Sequence, residues 1–230
     1  MRITLLQLPA RWNEVAASLA LVDQLLSAAP AGELVLLPEA SLTGYVSPRG
    51  DFDLARFAEP PDGPTAQALA ALARKHRCAL VGPLIERNGD QLFNTLIGFD
   101  RSGNQILSYR KRHPWYPEQW ATAGEDEYPT ISLADRTVTC AICFDLHFLA
   151  DEVPRAELLL FASAWVDDEG DARTPALQAL ARQAGMAIAN ANWGEGEPRL
   201  PGQGASMAID KQGNILVRAG AGLERLDADL

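Results

Sequence analysis

The sequence predicts an α/β protein, folded as a four-layer α-β-β-α sandwich built from two pseudo-symmetric halves. Apolar strand-like runs alternate with longer helical runs, which is typical of α/β folds. Segments of the first half return in the second, and helical runs such as 64–76 have a single apolar stripe. A helix with one apolar stripe covers only one face of a sheet. Two such halves can therefore bury their bare sheet faces against each other.

The internal repeat consists of four segments that recur in the same order. A strand led by Arg opens each half, and a strand led by Glu follows. A helix that begins at Thr and a turn with the pattern Asp-x-x-Gly-Asn come next. The matched ranges are 2–7 with 136–141, 33–37 with 157–161, 65–74 with 174–182, and 100–104 with 210–214. Four matches in register indicate a duplicated supersecondary unit.

The first half is predicted to contain five strands and two helices. The helices are expected near 12–28 and 64–76, and Pro64 suits a first helical turn because its missing N–H is not needed there. Asn88-Gly89 and Ser102-Gly103 are turn signals between strands. The strands are expected near 2–8, 33–38, 79–85, 92–99 and 105–109.

The second half is predicted to contain six strands and one helix. The helix is expected near 174–184, with Thr174 as its N-cap, Pro175 at its first position and Gly185 as its stop. The strands are expected near 136–142, 158–162, 187–192, 205–209, 214–218 and 224–228. No Pro/Gly/Ser-rich linker separates the halves, so residues 1–230 are predicted to form a single domain.

Composition excludes several classes of protein. The net charge of −10 argues against a nucleic-acid surface, which would need clustered Lys and Arg. No apolar run reaches membrane-spanning length, and charged residues interrupt the first helix, so neither a membrane segment nor a signal peptide is expected. Three cysteines do not make a disulfide scaffold. We expect a cytoplasmic protein with free thiols, no cofactor and no metal.

Three chemically useful side chains follow predicted strands. Glu39 ends the run Leu36-Leu-Pro-Glu39, Lys111 ends Tyr109-Arg-Lys111, and Cys143 follows the strand at 136–142. In open α/β sheets, ligands gather outside the carboxyl ends of strands. The same argument places Trp165 and Asn192 at such ends. The sequence therefore predicts one pocket that holds these groups.

The three side chains have the components of nucleophilic catalysis. A free thiol is only about 3% ionised at pH 7, so a nearby base and cation would increase its reactivity. Glu39 is expected to take the thiol proton while Cys143 attacks a carbonyl carbon. Lys111 and the backbone N–H of Phe144 are expected to stabilise the resulting oxyanion. Asp145 is expected to fix the loop, because neighbouring side chains diverge from an extended segment.

The chain resembles the nitrilase superfamily, the carbon–nitrogen hydrolases, along nearly its whole length. The motifs that carry the resemblance are Leu37-Pro-Glu-Ala-Ser-Leu-Thr-Gly-Tyr45, Tyr109-Arg-Lys-Arg-His113 and Ile142-Cys-Phe-Asp145. The resemblance implies an α-β-β-α sandwich and a catalytic triad of Glu39, Lys111 and Cys143. It also implies that Glu118 helps to position substrate or water, and that the protein is a dimer or larger homo-oligomer.

The activity expected from this resemblance is hydrolysis of a small amide to an acid and ammonia through a thioester on Cys143. Two alternatives stay open. One is a nitrilase that acts on a nitrile, and the other is a catalytically inactive member of the fold used for binding or scaffolding. Members often have Arg where this chain has His147, so its substrate preference is expected to differ from that of common branches. The residues expected to contact substrate are Tyr45, Trp115, Tyr116, Phe144, His147, Trp165 and Asn192.

Two further features of the sequence are open to interpretation. Two glutamates in the pocket would repel an anionic substrate unless an arginine balances them, for which Arg112 and Arg173 are candidates. Cys140 and Cys143 have the spacing of a redox or zinc pair. In a strand their side chains would face opposite ways, and there is no second cysteine pair, so metal or redox use is disfavoured.

Overall fold

The computed structural model describes residues 1–166, 170–197, 199–200 and 203–230. Four α-helices and two short 3-10 helices occur in this part of the chain. The helices are α1 (Val15–Ala28), α2 (Pro64–His76), α3 (Leu149–Glu152) and α4 (Arg173–Ala184), with 3-10 turns at Ala55–Phe57 and Cys143–His147. The strands are β1 (Arg2–Gln7), β2 (Leu34–Leu36), β3 (Ala79–Asn88), β4 (Gln91–Phe99), β5 (Gln105–Arg110), β6 (Thr130–Leu133), β7 (Arg136–Ile142), β8 (Leu158–Ser163), β9 (Ala187–Asn192), β10 (Met207–Ile209), β11 (Ile215–Arg218) and β12 (Glu224–Asp229).

The strands form two six-stranded sheets, which confirms the predicted sandwich. The first sheet has the order β12-β1-β2-β3-β4-β5, and the second has the order β11-β10-β9-β8-β7-β6. In each sheet three central strands are parallel, β1 to β3 and β7 to β9. The flanking strands are antiparallel to them. The two sheets therefore repeat one topology, as the matched segments predict.

Alternation along the strands builds the layers. In β1, Ile3 and Leu5 belong to the core cluster between the sheets, whereas Leu6 belongs to the cluster under the helices. That outer cluster joins Val22 of α1 and Leu69 of α2 to the first sheet. β1 and β2 contact β9 across the sandwich, and α4 contacts β9 and β10 from outside. Because a strand's side chains alternate between faces, one β1 strand serves both cores.

Two repeated turns show how closely the halves agree. Asp100 accepts hydrogen bonds from the backbone N–H groups of Ser102 and Asn104 at 2.8 and 2.9 Å. Asp210 accepts the same bonds from Gln212 and Asn214 at 2.9 and 2.8 Å. Each aspartate also accepts a bond from the side chain of its asparagine.

The last strand corrects the predicted division of the chain. The sequence places 224–228 in the second half, but β12 pairs antiparallel with β1 in the first sheet. The guanidinium of Arg225 fixes this position by donating to the carbonyl oxygens of Leu25, Ala29 and Pro30 at the end of α1. The equivalent edge of the second sheet is β6, which the sequence analysis missed.

Two smaller predictions are also corrected. Thr174 is not the N-cap of α4, because the helix begins at Arg173 and the N–H of Thr174 donates to Asp171 at 3.0 Å. The first helix begins at Val15 and not near 12. Pro64 does open α2, and Gly185 ends α4 with a φ of 63°. In the part of the chain that the structure describes, no helix has the length and apolar character needed to cross a bilayer.

Candidate active site

Strand ends from both sheets bring the predicted side chains together. Lys111 directly follows β5, Cys143 directly follows β7, and Glu39 lies in the turn after β2. Glu118 reaches the same place from the loop after Lys111, where its N–H donates to the carbonyl of Trp115 at 2.7 Å. Gly44 lets the turn after β2, which holds Glu39, pass close to the backbone of Arg11. Its φ is 79°, and a Cβ there would lie 2.6 Å from the carbonyl oxygen of Arg11.

A buried ammonium lies between two buried carboxylates. The Nζ of Lys111 donates to Oε1 of Glu39 at 2.8 Å and to Oε2 of Glu118 at 2.6 Å. All three side chains are 0% exposed. Burial lowers the pKa of Lys111, but Glu118 and Glu39 outweigh burial and hold the pKa above its ordinary value. Lys111 is therefore charged.

Asn94, which is not among the predicted site residues, bridges the two carboxylates. Its Nδ2 donates to Oε1 of Glu39 at 2.7 Å and to Oε1 of Glu118 at 2.8 Å. Asn94 lies inside β4 and is 1% exposed. An amide in the middle of an apolar strand was the signal in the sequence, because a buried polar side chain needs partners. With Asn94 in place, each carboxylate is fixed by charged and neutral donors together.

The two carboxylates differ in their further partners. Oε2 of Glu39 accepts the backbone N–H of Ala164 at 2.9 Å, which comes from the end of β8 in the other sheet. Oε2 of Glu118 accepts the backbone N–H of Trp115 at 2.7 Å. Burial raises the pKa of Glu118, while Lys111 opposes the rise and Glu39 adds to it. The site therefore penalises the ionisation of Glu118.

Cys143 sits in a left-handed backbone conformation at the start of a 3-10 helix. Its φ is 44°, which a non-glycine residue adopts at a cost of roughly 1–3 kcal/mol. Burial raises the pKa of Cys143 well above its ordinary value, and Glu39 adds to the rise. Lys111 and the N–H of Ala164 oppose it. The resting side chain is therefore a neutral thiol within electrostatic reach of both charges.

Asp145 connects the Cys143 turn to the Lys111 segment. Its Oδ2 accepts the N–H of Ile142 at 2.9 Å and the hydroxyl of Tyr109 at 2.7 Å. Its Oδ1 accepts the N–H of His113 at 3.0 Å. Burial raises the pKa of Asp145 to about 6, against the effect of these hydrogen bonds. Asp145 thus holds one strand end of each sheet, which agrees with the predicted loop-fixing role.

Cys143 opens onto a cleft of about 540 Å³, including its mouth. Six of the seven predicted substrate contacts line it together with Cys143: Tyr45, Trp115, Tyr116, Phe144, His147 and Trp165. Ala164 and Val166 complete the described lining. His147 stacks on Trp165 with ring centroids 5.8 Å apart, and Tyr116 is 78% exposed at the mouth. A concave wall of aromatic side chains beside a thiol is typical of a small-molecule site.

Asn192 lies behind the cleft wall and not on it. Its Oδ1 accepts the N–H of Trp165 at 2.9 Å and the hydroxyl of Ser163 at 3.0 Å. Its Nδ2 donates to the carbonyl of Gly204 at 2.8 Å. The indole of Trp193 supports the same wall by donating to the carbonyl of Trp165 at 2.9 Å. The geometry therefore gives Asn192 a positioning contact, whereas the sequence predicts a contact with substrate.

The two other cysteines have no such surroundings. Cys78, Cys140 and Cys143 are all free thiols. Cys140 is 0% exposed inside β7, and burial raises its pKa well above the ordinary value. Cys78 is 1% exposed, and burial raises its pKa to about 11. Of these three thiols, Cys143 is the one that lines the cleft.

A thiol, a carboxylate and an ammonium around one cleft can together move a proton, attack a polarised carbon and stabilise negative charge.

Similarity to known proteins agrees with this chemistry. Residues 2–227 match the carbon–nitrogen hydrolase family. A Pseudomonas protegens protein described as a hydrolase in the pqqF 5' region is 30% identical over 227 residues, covering 96% of this chain and 79% of the relative. An (R)-stereoselective amidase of a Pseudomonas species is 29% identical, covering 96% and 81%.

Solved structures extend the similarity to the fold. A CN-hydrolase superfamily protein from Xanthomonas campestris, with an arsenic adduct in its active site, superposes with a TM-score of 0.86 at 25% identity. The alignment covers 100% of this chain and 90% of that one. An amidase from a Nesterenkonia species has a TM-score of 0.85 at 28% identity, covering 100% and 90%. Because the family match spans nearly the whole chain and these structures share its architecture, this protein belongs to the carbon–nitrogen hydrolase family.

Proposed function

We propose that this protein is a cofactor-free amidase that converts a small amide to an acid and ammonia through a thioester on Cys143. The observation that carries the proposal is the position of the thiol. Cys143 lines the cleft, and the buried side chains of Glu39 and Lys111, each 0% exposed, lie within electrostatic reach of its thiol. The similarity to an (R)-stereoselective amidase and to a Nesterenkonia amidase supports this activity.

In the first step, Glu39 removes the thiol proton as the sulfur attacks the amide carbon. Because burial and Glu39 raise the pKa of Cys143, a preformed thiolate is disfavoured, and the proton leaves only as the bond forms. The carboxylate of Glu39 is held for this role by Lys111, Asn94 and Ala164. Its orientation is fixed before substrate arrives, which lowers the cost of reaching the transition state.

Lys111 stabilises the oxyanion that the attack creates. An ammonium has three N–H donors, and within the described residues Lys111 uses two of them, on Glu39 and Glu118. The third is available to the substrate oxygen. The N–H of Phe144 is a second donor, since it lies in the first turn of a helix, where N–H groups have no intrahelical acceptor. Loss of one such donor typically costs about 3–4 kcal/mol.

Glu39 then returns the proton to the leaving nitrogen, and ammonia departs from the thioester. A water deprotonated by Glu39 attacks the same carbon, and the acid and the free thiol are released. Glu118 acts on the lysine, because it accepts one of the three Lys111 donors and so directs the remaining one. We also propose that Glu118 contacts the substrate or the attacking water.

An ammonia-release screen tests the activity. Small amides, amide-bearing amino acids, carbamoyl amines and nitriles are each incubated with the wild type. Ammonia release from at least one amide is expected. Release from nitriles alone would replace the amidase proposal with a nitrilase, and no release from any compound would favour a binding role.

A labelling experiment tests the thiol independently of the substrate. Iodoacetamide is added to the folded protein, and the alkylation of each cysteine is followed by mass spectrometry. Cys143 is expected to react at least tenfold faster than Cys78 and Cys140, because it lines the cleft and Glu39 can accept its proton as the sulfur is alkylated. Cys78 and Cys140 do not line the cleft and serve as internal controls. Equal slow labelling of all three would contradict an activated Cys143.

A further inference from the structure

The described residues that line the cleft present aromatic rings and no permanent cation. Five rings from four segments line it, those of Tyr45, Trp115, Tyr116, Phe144 and Trp165. Among the described lining residues there is no Lys or Arg, and His147 is the one basic side chain. Stacking against such rings contributes roughly 2- to 10-fold in affinity for each well-placed contact.

The buried charged groups that act on Cys143 have no net positive charge. One ammonium, Lys111, lies between two carboxylates, Glu39 and Glu118. With both carboxylates ionised, these three side chains have a net charge of about −1. With Glu118 protonated, their net charge is about zero. In either state a second anion brought into the cleft finds no uncompensated positive charge beneath it.

The arginines that could reverse this balance are engaged elsewhere. Arg112, a candidate from the sequence, donates to the carbonyl of Asp126 and pairs with Glu152 at 3.4 Å. Arg173, the other candidate, is 2% exposed and donates to the carbonyl of Gly204 at 2.9 Å. Neither lines the cleft.

Arg199, near the far side of Tyr45, is also committed. Its Nε and one terminal nitrogen pair with the two carboxylate oxygens of Glu197 at 2.5 and 2.6 Å. The residues outside the described ranges include no Lys or Arg. They are Asp167, Asp168, Glu169, Pro198, Pro201 and Gly202, of which three are acidic.

Resting on the amidase function proposed above, we infer that the site selects uncharged amides whose acyl group ends in an aromatic ring and rejects amides that carry a carboxylate near that ring. The aromatic rings of the cleft wall attract the substrate ring. The net charge of Glu39, Lys111 and Glu118 excludes a substrate carboxylate. With both carboxylates ionised, two like charges about 8 Å apart, at an effective dielectric constant of about 20, repel enough to lower an association constant roughly 30-fold.

The first test compares three substrates of similar length. In 3-(4-methylphenyl)propanamide and 3-(4-carboxyphenyl)propanamide, two methylene groups insulate the amide from the substituent, so the intrinsic reactivities match. The carboxyl compound is expected to have a kcat/KM roughly 30-fold lower. Hexanamide, which lacks a ring, is expected to fall roughly 2- to 10-fold below the methyl compound. Equal kcat/KM values for the methyl and carboxyl compounds would overturn the inference.

A charge placed at the mouth of the cleft should change this preference. Tyr116→Arg is expected to raise kcat/KM for the carboxyl compound roughly 10-fold relative to the methyl compound. Tyr116→Gln removes the ring without adding charge and should leave that ratio unchanged. Leu216→Arg adds the same charge on β11, where residue 216 is 46% exposed outside the cleft, and is the matched surface control. A ratio that shifts equally in Tyr116→Arg and Leu216→Arg would contradict a local effect. His147→Gln removes the one basic side chain among the described lining residues. If this variant no longer discriminates against the anionic substrate, the inference is overturned.

A labelling pair separates this inference from the amidase proposal. Iodoacetamide and iodoacetate are compared at Cys143, and their rate ratio is divided by the ratio for glutathione. The neutral reagent is expected to be favoured at least tenfold. If this preference is present but no amide is hydrolysed, the charge selection stands and the amidase proposal fails. If neutral and anionic amides are hydrolysed equally well, the amidase proposal stands and the charge selection fails.

Discussion

The two halves of this protein share a scaffold but not a chemistry. Both contain three parallel strands, an antiparallel hairpin and an aspartate turn with the same hydrogen bonds. In both, a glutamate at the start of the second strand accepts the N–H of a residue in the first, Glu33 from Arg2 and Glu157 from Thr137, each at 3.0 Å. The repeat is thus retained where it stabilises strand ends far from the cleft.

The opposite ends of the same strands differ. Counting from the matched strands, Ser163 stands in the second half where Glu39 stands in the first, and Pro9 stands in the first half where Cys143 stands in the second. The first half supplies the charged cluster of Glu39, Lys111 and Glu118, and the second supplies the thiol. Neither half alone contains the candidate site.

Direct hydrogen bonds join the halves at that site. The N–H of Ala164 after β8 donates to Glu39, and the N–H of His113 after β5 donates to Asp145. The distance between thiol and carboxylate is therefore set by the docking of two sheets and not by any single loop. Substitutions at the site and substitutions in the scaffold should therefore have separable effects on turnover and on stability.

The largest effect is expected from the thiol itself. Cys143→Ala should lower turnover by roughly 10⁴-fold or more, because the nucleophile is absent, and should leave the melting temperature within a few degrees of the wild type. Cys140→Ala, three positions away in the same chain segment, is the control. It should cost about 1–2 kcal/mol of stability, since Cys140 is 0% exposed, and should keep its activity. Activity retained in purified Cys143→Ala would refute the proposed nucleophile.

Next in size is the effect of removing the buried ammonium. Lys111→Met should lower kcat roughly 10²- to 10³-fold by deleting an oxyanion donor. It should also destabilise the protein by about 3–5 kcal/mol, because two buried carboxylates lose their counter-ion. Urea unfolding and steady-state kinetics measure the two losses separately.

A second variant shows which loss belongs to charge burial. In Lys111→Met combined with Glu118→Gln, one carboxylate is neutral, so part of the stability should return while kcat stays low. If kcat recovers together with stability, Lys111 has a structural role only.

A smaller effect is expected from the tether between the halves. Asp145→Asn should lower kcat about 10-fold. The N–H groups of Ile142 and His113, which position the Cys143 turn, bind different oxygens of Asp145, and asparagine has one oxygen acceptor, so one of the two N–H groups loses its partner. Asp151→Asn, an exposed change on α3, is the control and should leave kcat unchanged. A kcat that is equal in both variants would contradict the tether.

The same variant gives a pH signature. The pKa of Asp145 is raised to about 6 in the folded protein, compared with about 3.9 in an unfolded chain. A raised carboxyl pKa contributes stability that is fully present below about pH 4 and is lost as the pH rises through about 6, a change of about 2–3 kcal/mol. Wild type should therefore lose stability relative to Asp145→Asn over that range in chemical unfolding. Parallel curves for the two proteins would exclude this titration.

Local sequence patterns predicted the parts of the molecule that local patterns determine. Strand and helix periodicity located most elements of the described chain, and the repeat led to the sandwich because two one-sided layers must cover each other. The strand ends that carry Glu39, Lys111 and Cys143 were also predictable, since parallel strands deliver their ends to one edge. The roles of these residues stay predictions.

The parts that depend on pairing across the chain were not predictable. β12 and β6 are edge strands, and the choice of sheet for β12 is made by the contacts of Arg225 with the end of α1, residues about two hundred positions away. Asn94 looked like one polar residue in a strand, because its two acceptors come from segments on either side of it in sequence. The φ of 44° at Cys143 has no signal in the sequence, since cysteine does not favour that conformation.

The smallest effect tests whether the scaffold is duplicated in energy as well as in form. Asp100→Ala and Asp210→Ala each remove two backbone contacts of equal length from equivalent hairpin turns. Each should lower the melting temperature by a similar few degrees and leave kcat unchanged, and the double variant should show the sum, since the turns lie in different sheets. Thermal unfolding of the three variants measures this. A clearly larger loss for one turn would mean that its sheet depends more on the hairpin, and the halves would then differ in scaffold stability as well as in chemistry.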